Sequence, residues 1–550
     1  MPGTLNTDGR HRPSYRRLAA ILVVALILRL IYLAWAQAHA FGYQTDSIEA
    51  YEVAVQFDAG DERARYLGQP NCNSHAKLPG PLWTMFCLAG MKLTGGSISG
   101  IVFLIILANI AAIALTWRLT HDLCGDSAAD AAALFMAVSP MAVHYSSIVW
   151  NPSLLPLFGA VIFFCLFRCL RKTRSRAIFV VAFLLFIGPQ FHLSTLALVV
   201  PLAAFAWLAR LKPNWRWLVV GIIAAALCYV PYIFGEISHD WENTRAIFLG
   251  DRHGFTSGAL KVFSSPFGFL VNYWDPGWTY APGDYQTLAR RTFGGIIGMA
   301  AVNLVSAVFA ALVVLGVIRS AAAQMKESRG GLREIMAHPT GVVPAAFLLL
   351  SYLAFNLVAG ISFHGRYCLL VLPLIFALAG VGAIKCLETP RLRHVGSAPS
   401  TPAAPLRRRG FELNVFFRPA LLLTIAANLW FTPAMCRFER DRISFGPVFV
   451  PGYAKLESVY QQLKPRAPDR LVEIRDDAYM ASFPLLDSNK IYLHSGLVRR
   501  YVRAREAYLT AAGKKFSQVN VFELRTANLV EATDPAVAFY GNGIALVAVP

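Results

Sequence analysis

The sequence predicts an all-α polytopic membrane protein of about eleven transmembrane helices, with a small α/β soluble domain at its carboxyl end. Three observations point there. The 550 residues are 56% hydrophobic and only 15% charged, with a mean hydropathy of +0.48, too apolar for ordinary soluble domains. Apolar runs of roughly 20 residues, the length that crosses a hydrocarbon core of about 30 Å, recur along the chain. Short basic clusters separate many of them, and the composition turns mixed and charged only after the last run.

The runs fall near 18–38, 98–117, 128–148, 153–169, 177–191, 193–209, 217–235, 293–318, 341–361, 367–384 and 419–434. Segment 177–209 holds either two short spans or one long helix broken around Gly188-Pro189. Arg29 interrupts the first run. That run is still as long as a span, and it fits an uncleaved first helix better than a signal peptide ending at Ala36-Gln37-Ala38.

A net charge of +19 in a soluble protein would suggest a nucleic-acid partner, but its placement gives it another meaning. Basic residues fill alternate loops: Arg12, Arg16 and Arg17, then Arg171 to Arg176, Arg210 to Arg216, Arg319 to Arg333 and Lys385 to Arg409. The positive-inside rule makes these loops cytoplasmic. The amino terminus then lies inside the plasma (inner) membrane, and segments 39–97, 236–292 and 435–550 lie outside. The transmembrane domain is 1–434, with 385–418 as a cytoplasmic linker that includes the Pro/Ala/Ser/Arg-rich run 389–409. No nucleic-acid partner is expected. The nine cysteines form no CxxC pair, and most read as small hydrophobes in apolar helices. Cys72 and Cys436 lie in outside segments, as a disulfide or as two free thiols.

Residues 435–550 read as the α/β domain. Strand-like runs at Leu471–Ile474, Lys490–Leu493, Val519–Leu524 and Ile544–Val549 alternate with helical stretches at 453–464 and 497–512. No catalytic motif marks this domain.

Chemistry is expected where polar residues gather at the outer face. Just beyond the first run comes Tyr43-Gln44-Thr45-Asp46-Ser47-Ile48-Glu49-Ala50-Tyr51-Glu52. Asp46 and Glu49, three apart on a helix, share a face and so suit a general-base or divalent-cation site. The same spacing is that of a capping box, and pattern alone favours the cap. The loop ends in Asn73-Ser74-His75-Ala76-Lys77-Leu78-Pro79-Gly80-Pro81, which sets His75 and Lys77 at the depth of a lipid phosphate. An interfacial anchor is an equal reading.

These residues, with Leu28-Arg29-Leu30 ending the first helix, Ser139-Pro140 through His144-Tyr145-Ser146 to Trp150-Asn151-Pro152, and Arg366-Tyr367 through Leu372-Pro373, resemble the GT-C membrane glycosyltransferases over residues 15–385. Within that superfamily the chain is most similar to the branch of dolichyl-phosphate-mannose protein mannosyltransferase-like enzymes, the aminoarabinose transferase of lipid A and the RgtA/B/C/D-like proteins. The resemblance implies a GT-C-like fold and transfer of a sugar from a polyprenyl-phosphate donor. The acceptor would be an envelope glycan, lipid or protein at the outer membrane face. It makes Asp46 the expected base, with Lys77 and Arg366 as candidates to hold the donor phosphate; Arg366 beside His364 also suits a snorkelling anchor. Two departures stand out. Ser47 follows Asp46 where many members have a second acid, and Asn151 stands where related sequences often have Asp. Both take a carboxylate from a divalent-metal site, which leaves metal use open, with His75 as an alternative ligand.

Further candidates for substrate contact are Tyr51, Asn151, His192 and Glu236, the last opening a charged stretch with His239, Asp240 and Glu242. The aromatic run Tyr273 to Tyr280 suits sugar stacking or an interfacial belt equally. Two rival readings are a transporter or flippase of lipid-linked sugars and a non-catalytic relative. A transporter should show two related halves and polar residues at the bilayer midplane, and no internal repeat is seen.

Overall fold

The computed structural model describes residues 15–35, 44–70, 76–249, 259–270, 292–328, 331–338, 340–359, 365–387, 413–441 and the strands 470–476, 518–526, 537–541 and 544–548. The first half holds α1 (Tyr15–Trp35), α2 (Gln44–Asp58), α3 (Leu82–Leu93), α4 (Ser99–Cys124), α5 (Asp126–Val138), α6 (Pro140–Tyr145) and α7 (Leu155–Arg171). Then come α8 (Ile178–Ile187), α9 (Val199–Leu208), α10 (Trp215–Cys228), α11 (Val230–Ser238), α12 (Glu242–Leu249), α13 (Ala259–Ser264) and α14 (Phe267–Leu270). The remaining helices are α15 (Ile296–Glu327), α16 (Leu332–Ala337), α17 (Val342–Val358), α18 (Leu372–Leu387) and α19 (Leu413–Asp441).

The described part of each apolar run read from the sequence is mainly helical, but the runs differ in how they are built. Among the described residues four helices are long and apolar enough to cross a membrane: Tyr15–Ala34, Ser99–Cys124, Asn151–Arg171 and Ile296–Glu327. The pair α10 and α11, bent by 47°, makes a fifth if taken as one span. The other runs are shorter helices or helices in pieces, and prolines explain several of the breaks. The run 128–148 is not one helix: Pro140 starts α6, and extended Ser139 caps it by accepting the Ala142 N–H at 3.3 Å. At 177–209 the chain passes through 3₁₀ turns at Gly188–Gln190 and Leu193–Leu198 between α8 and α9, so the run is two short apolar helical pieces and not one continuous helix.

The interior is one helical core, centred on α18, which packs against α5 and α15 while α4 packs on α5 and α7. Small residues let these backbones approach. A Cβ at Gly316 of α15 would collide with the Gly382 backbone of α18, and one at Gly382 with Val313. Outward-facing Val23, Ile27, Val219, Ile223, Leu304 and Leu422 are exposed apolar side chains, as a lipid-facing surface requires. With these helices the chain is a membrane protein.

The charge inside the first helix has a structural explanation. Arg29 is fully buried. Its guanidinium donates to Ala137 O at 3.2 Å, Met136 O at 3.4 Å and Ala25 O at 3.1 Å. Because α5 stops at Pro140, its last carbonyls lack intrahelical donors, and Arg29 supplies them. An arginine between Leu28 and Leu30 is thus the consequence of a helix break more than a hundred residues downstream.

At the carboxyl end four strands, β1 (Arg470–Asp476), β2 (Gln518–Thr526), β3 (Val537–Gly541) and β4 (Ile544–Ala548), form a sheet of order β1-β2-β4-β3. β1 and β2 are parallel and the other pairs antiparallel. Three of the four expected strand runs fall on strands. Lys490–Leu493, the stretches 453–464 and 497–512 and the linker 389–409 lie outside the described residues. The charge pattern predicts that, in intact cells, an impermeant thiol reagent will modify a cysteine placed at Ser517 and spare one at Ser400. The reverse labelling would invert the topology.

Candidate functional site at the start of α2 and the Trp150 turn

Helix α2 begins at Gln44, so Asp46 is its third residue, and a residue inside the first turn does not hold the N-cap position. Helical spacing sets positions 46 and 49 on one face. The side chain of Asp46 lies outside the described residues, as does all of His75. What fixes this turn is the neighbouring Ser47. Its buried hydroxyl donates to Val149 O at 2.7 Å, tying α2 to the turn that leads through Trp150 and Asn151 into α7. The departure at Ser47 therefore has a use: the side chain following Asp46 is a latch.

Trp150 is extended, and Pro152 starts a 3₁₀ turn, Asn151–Leu154, ahead of α7. Asn151 is half-buried, and its amide makes no hydrogen bond among the described residues. Over the Trp150 ring lies the Arg366 guanidinium, 5.0 Å from its centroid and 5.6 Å from that of Tyr367. Such stacking leaves the guanidinium edges free for an anion. Among the described residues the buried Nε of Arg366 has no hydrogen-bond partner, and no carboxylate pairs with this cation. Tyr367 meets His192 edge to face at 5.7 Å. His192 caps the next 3₁₀ turn, its Nδ1 accepting the Ser194 N–H at 3.1 Å. That contact leaves the ring proton of the neutral imidazole on Nε2.

A second group forms where the segment before α3 meets the start of α12. The Asn243 amide clasps the backbone of Lys77: Lys77 N–H donates to Asn243 Oδ1 at 2.6 Å, and Asn243 Nδ2 donates to Lys77 O at 3.1 Å. Glu236 is buried and caps α12 from a distance, accepting the N–H groups of Thr244 at 2.6 Å and Asn243 at 3.4 Å. A carboxylate suits that helix start, where several N–H groups lack partners. Tyr66 packs against Gly235, whose Cβ would strike its ring, and burial raises its hydroxyl above the ordinary range. Lys77 itself makes no ion pair among the described residues.

The structure thus joins the α2 start, Trp150-Asn151, Arg366 and His192 in one cluster, and Lys77 with Glu236 in another. No hydrogen bond, ion pair or ring contact among the described residues links the two directly. Tyr51 is fully buried, its hydroxyl donating to Gly96 O at 3.1 Å, which makes it part of the packing of α2. Among the described residues no three His, Cys, Asp or Glu side chains gather as a metal ligand set. Cys72, His364 and the run 273–280 lie outside the described residues, as does the side chain of Cys436. Sequence reading missed Trp150 as the platform for Arg366, and Asn243. It also missed buried Gln190, whose Oε1 accepts the Leu82 N–H at 3.4 Å while Nε2 donates to Cys228 O at 3.0 Å.

A family model described as dolichyl-phosphate-mannose-protein mannosyltransferase matches residues 75–234. Among solved structures, ArnT from Cupriavidus metallidurans bound to undecaprenyl phosphate is similar with a TM-score of 0.55 at 14% identity, over 97% of this chain and 98% of that one. Its apo form gives 0.54 at 14% identity with the same coverage. No curated protein sequence matches the chain.

Proposed function

From the premise that this chain has the fold of the GT-C superfamily and matches its mannosyltransferase model over 75–234, we propose that it is a glycosyltransferase. It moves a sugar from a polyprenyl phosphate to an envelope acceptor at the outer membrane face. The observation that carries this reading is Arg366: a cation stacked on Trp150, with a buried donor still unspent, beside the turn on which Ser47 anchors the α2 start. An ArnT of the same fold was solved with undecaprenyl phosphate, which supports a lipid phosphate as the anion.

In the reaction, the acceptor hydroxyl oxygen attacks the anomeric carbon and the bond from that carbon to the phosphate oxygen breaks. The hydroxyl proton passes to the Asp46 carboxylate, and the bonding electrons leave with the lipid phosphate, whose growing charge Arg366 offsets. Lys77 is a second cation for the donor. Its backbone is fixed by Asn243, so its stem starts from a defined point at the loop junction. Glu49 is the alternative carboxylate on the same helix face. Asn151, half-buried in the Trp150 turn, is the candidate to meet a sugar hydroxyl.

Membranes containing the chain should move radiolabel from a polyprenyl-phosphate sugar onto an envelope acceptor, with release of the lipid phosphate. Label that crosses the bilayer while remaining on its lipid would establish a flippase instead.

A further inference from the structure

At the opposite end of α7 from Trp150 lie two adjoining grooves, of about 580 and about 650 Å³, that share Arg168, Lys172 and Ser175. Six cations line them: Arg118, Arg168, Arg171, Lys172, Arg174 and Arg176. Among the described residues their one carboxylate, Asp122, is taken. It pairs with Arg171 at 2.7 Å and Arg118 at 3.3 Å, and Arg171 also donates to the Asp122 carbonyl. Arg168, Lys172, Arg174 and Arg176 have no ion-pair partner among the described residues.

The turn that carries them is built, not frayed. Arg174 sits at φ 57, a left-handed conformation that a non-glycine residue adopts only when held. Its N–H donates to Lys212 O at 3.3 Å, and Asn214 donates to its carbonyl at 3.1 Å. Two contacts from the next loop thus fix the turn at Arg174, within a set of four cations that have no ion-pair partner among the described residues. The walls are apolar: Phe164 and Tyr15 line one groove, Val180 and Ala177 the other. Beside them Arg176 stacks over Trp217 at 5.4 Å, and Trp215 is 68% exposed, an arrangement that belongs at the headgroup level of a bilayer.

We infer that these grooves bind the phosphate of an anionic phospholipid in the leaflet facing the basic loops, with its acyl chains running down past Phe164 and Val180. A phosphate diester supplies the oxygens that Arg168 and Lys172, shared by both grooves, can hold together. Inorganic phosphate has the same charge chemistry but nothing to cover the apolar walls. The site lies about 30 Å from the Trp150 turn, the length of the segment Asn151–Arg171 between them. It is therefore separate from the transfer reaction and does not depend on it.

The test is native mass spectrometry of the full-length detergent-solubilised protein, titrated with phosphatidylglycerol, phosphatidylethanolamine or inorganic phosphate. Phosphatidylglycerol should bind more tightly than phosphatidylethanolamine. The double variant Arg168→Gln with Lys172→Gln should weaken it about 30-fold, the worth of two interfacial charges, whereas Arg245→Gln, on α12 and lining neither groove, should leave it unchanged. Equal binding of the two lipids, or unaltered affinity in the double variant, would overturn the inference. Displacement of phosphatidylglycerol by millimolar inorganic phosphate would make this a free-anion site and overturn the lipid assignment.

Discussion

Replacing Arg366 with alanine should weaken binding of undecaprenyl phosphate by about 10- to 150-fold, the cost of one charge-assisted hydrogen bond at roughly 1.5 to 3 kcal/mol. The guanidinium is placed by stacking on Trp150 and Tyr367, and its buried Nε has no acceptor among the described residues. The variant therefore loses a ligand contact while breaking no ion pair among the described residues. Arg366→Lys separates charge from shape. Lysine keeps the charge but has no planar group to lie on Trp150, so it should recover only part of the affinity. Calorimetry on purified variants that elute as the native protein does will read this. Undiminished affinity in Arg366→Ala would make the residue an interfacial anchor.

Much of the helical architecture was legible because hydrocarbon imposes a length and a polarity that local composition records directly. The breaks were less so. Pro140 was visible, yet nothing local says that the carbonyls it orphans are met by Arg29 on another helix. The site was legible in kind and not in detail, for the same reason. Arg366 and the Trp150 turn were singled out separately, but their stacking is a tertiary contact between distant segments that no spacing encodes. Glu236 illustrates the converse. A carboxylate at the mouth of an outer loop reads as a substrate contact, and only the fold shows its two oxygens meeting the N–H groups that open α12. Ser47 taken alone looks like a missing acid; seen with Val149 O it is the residue that docks α2.

The central claim concerns Asp46, which immediately precedes that latch in α2. Asp46→Asn keeps the size and hydrogen-bonding shape of the side chain but removes its charge and basicity. Its position inside the first turn of α2 means that loss of an N-cap is not the expected consequence. The decisive measurement is the turnover of sugar from polyprenyl phosphate to acceptor by the Asp46→Asn protein, in membranes where its folded level matches the unaltered chain. A base at this position predicts a loss of about 100-fold or more, with donor affinity changed far less than by Arg366→Ala. Turnover close to that of the unaltered chain would contradict the assignment, and would move the search for the base to Glu49.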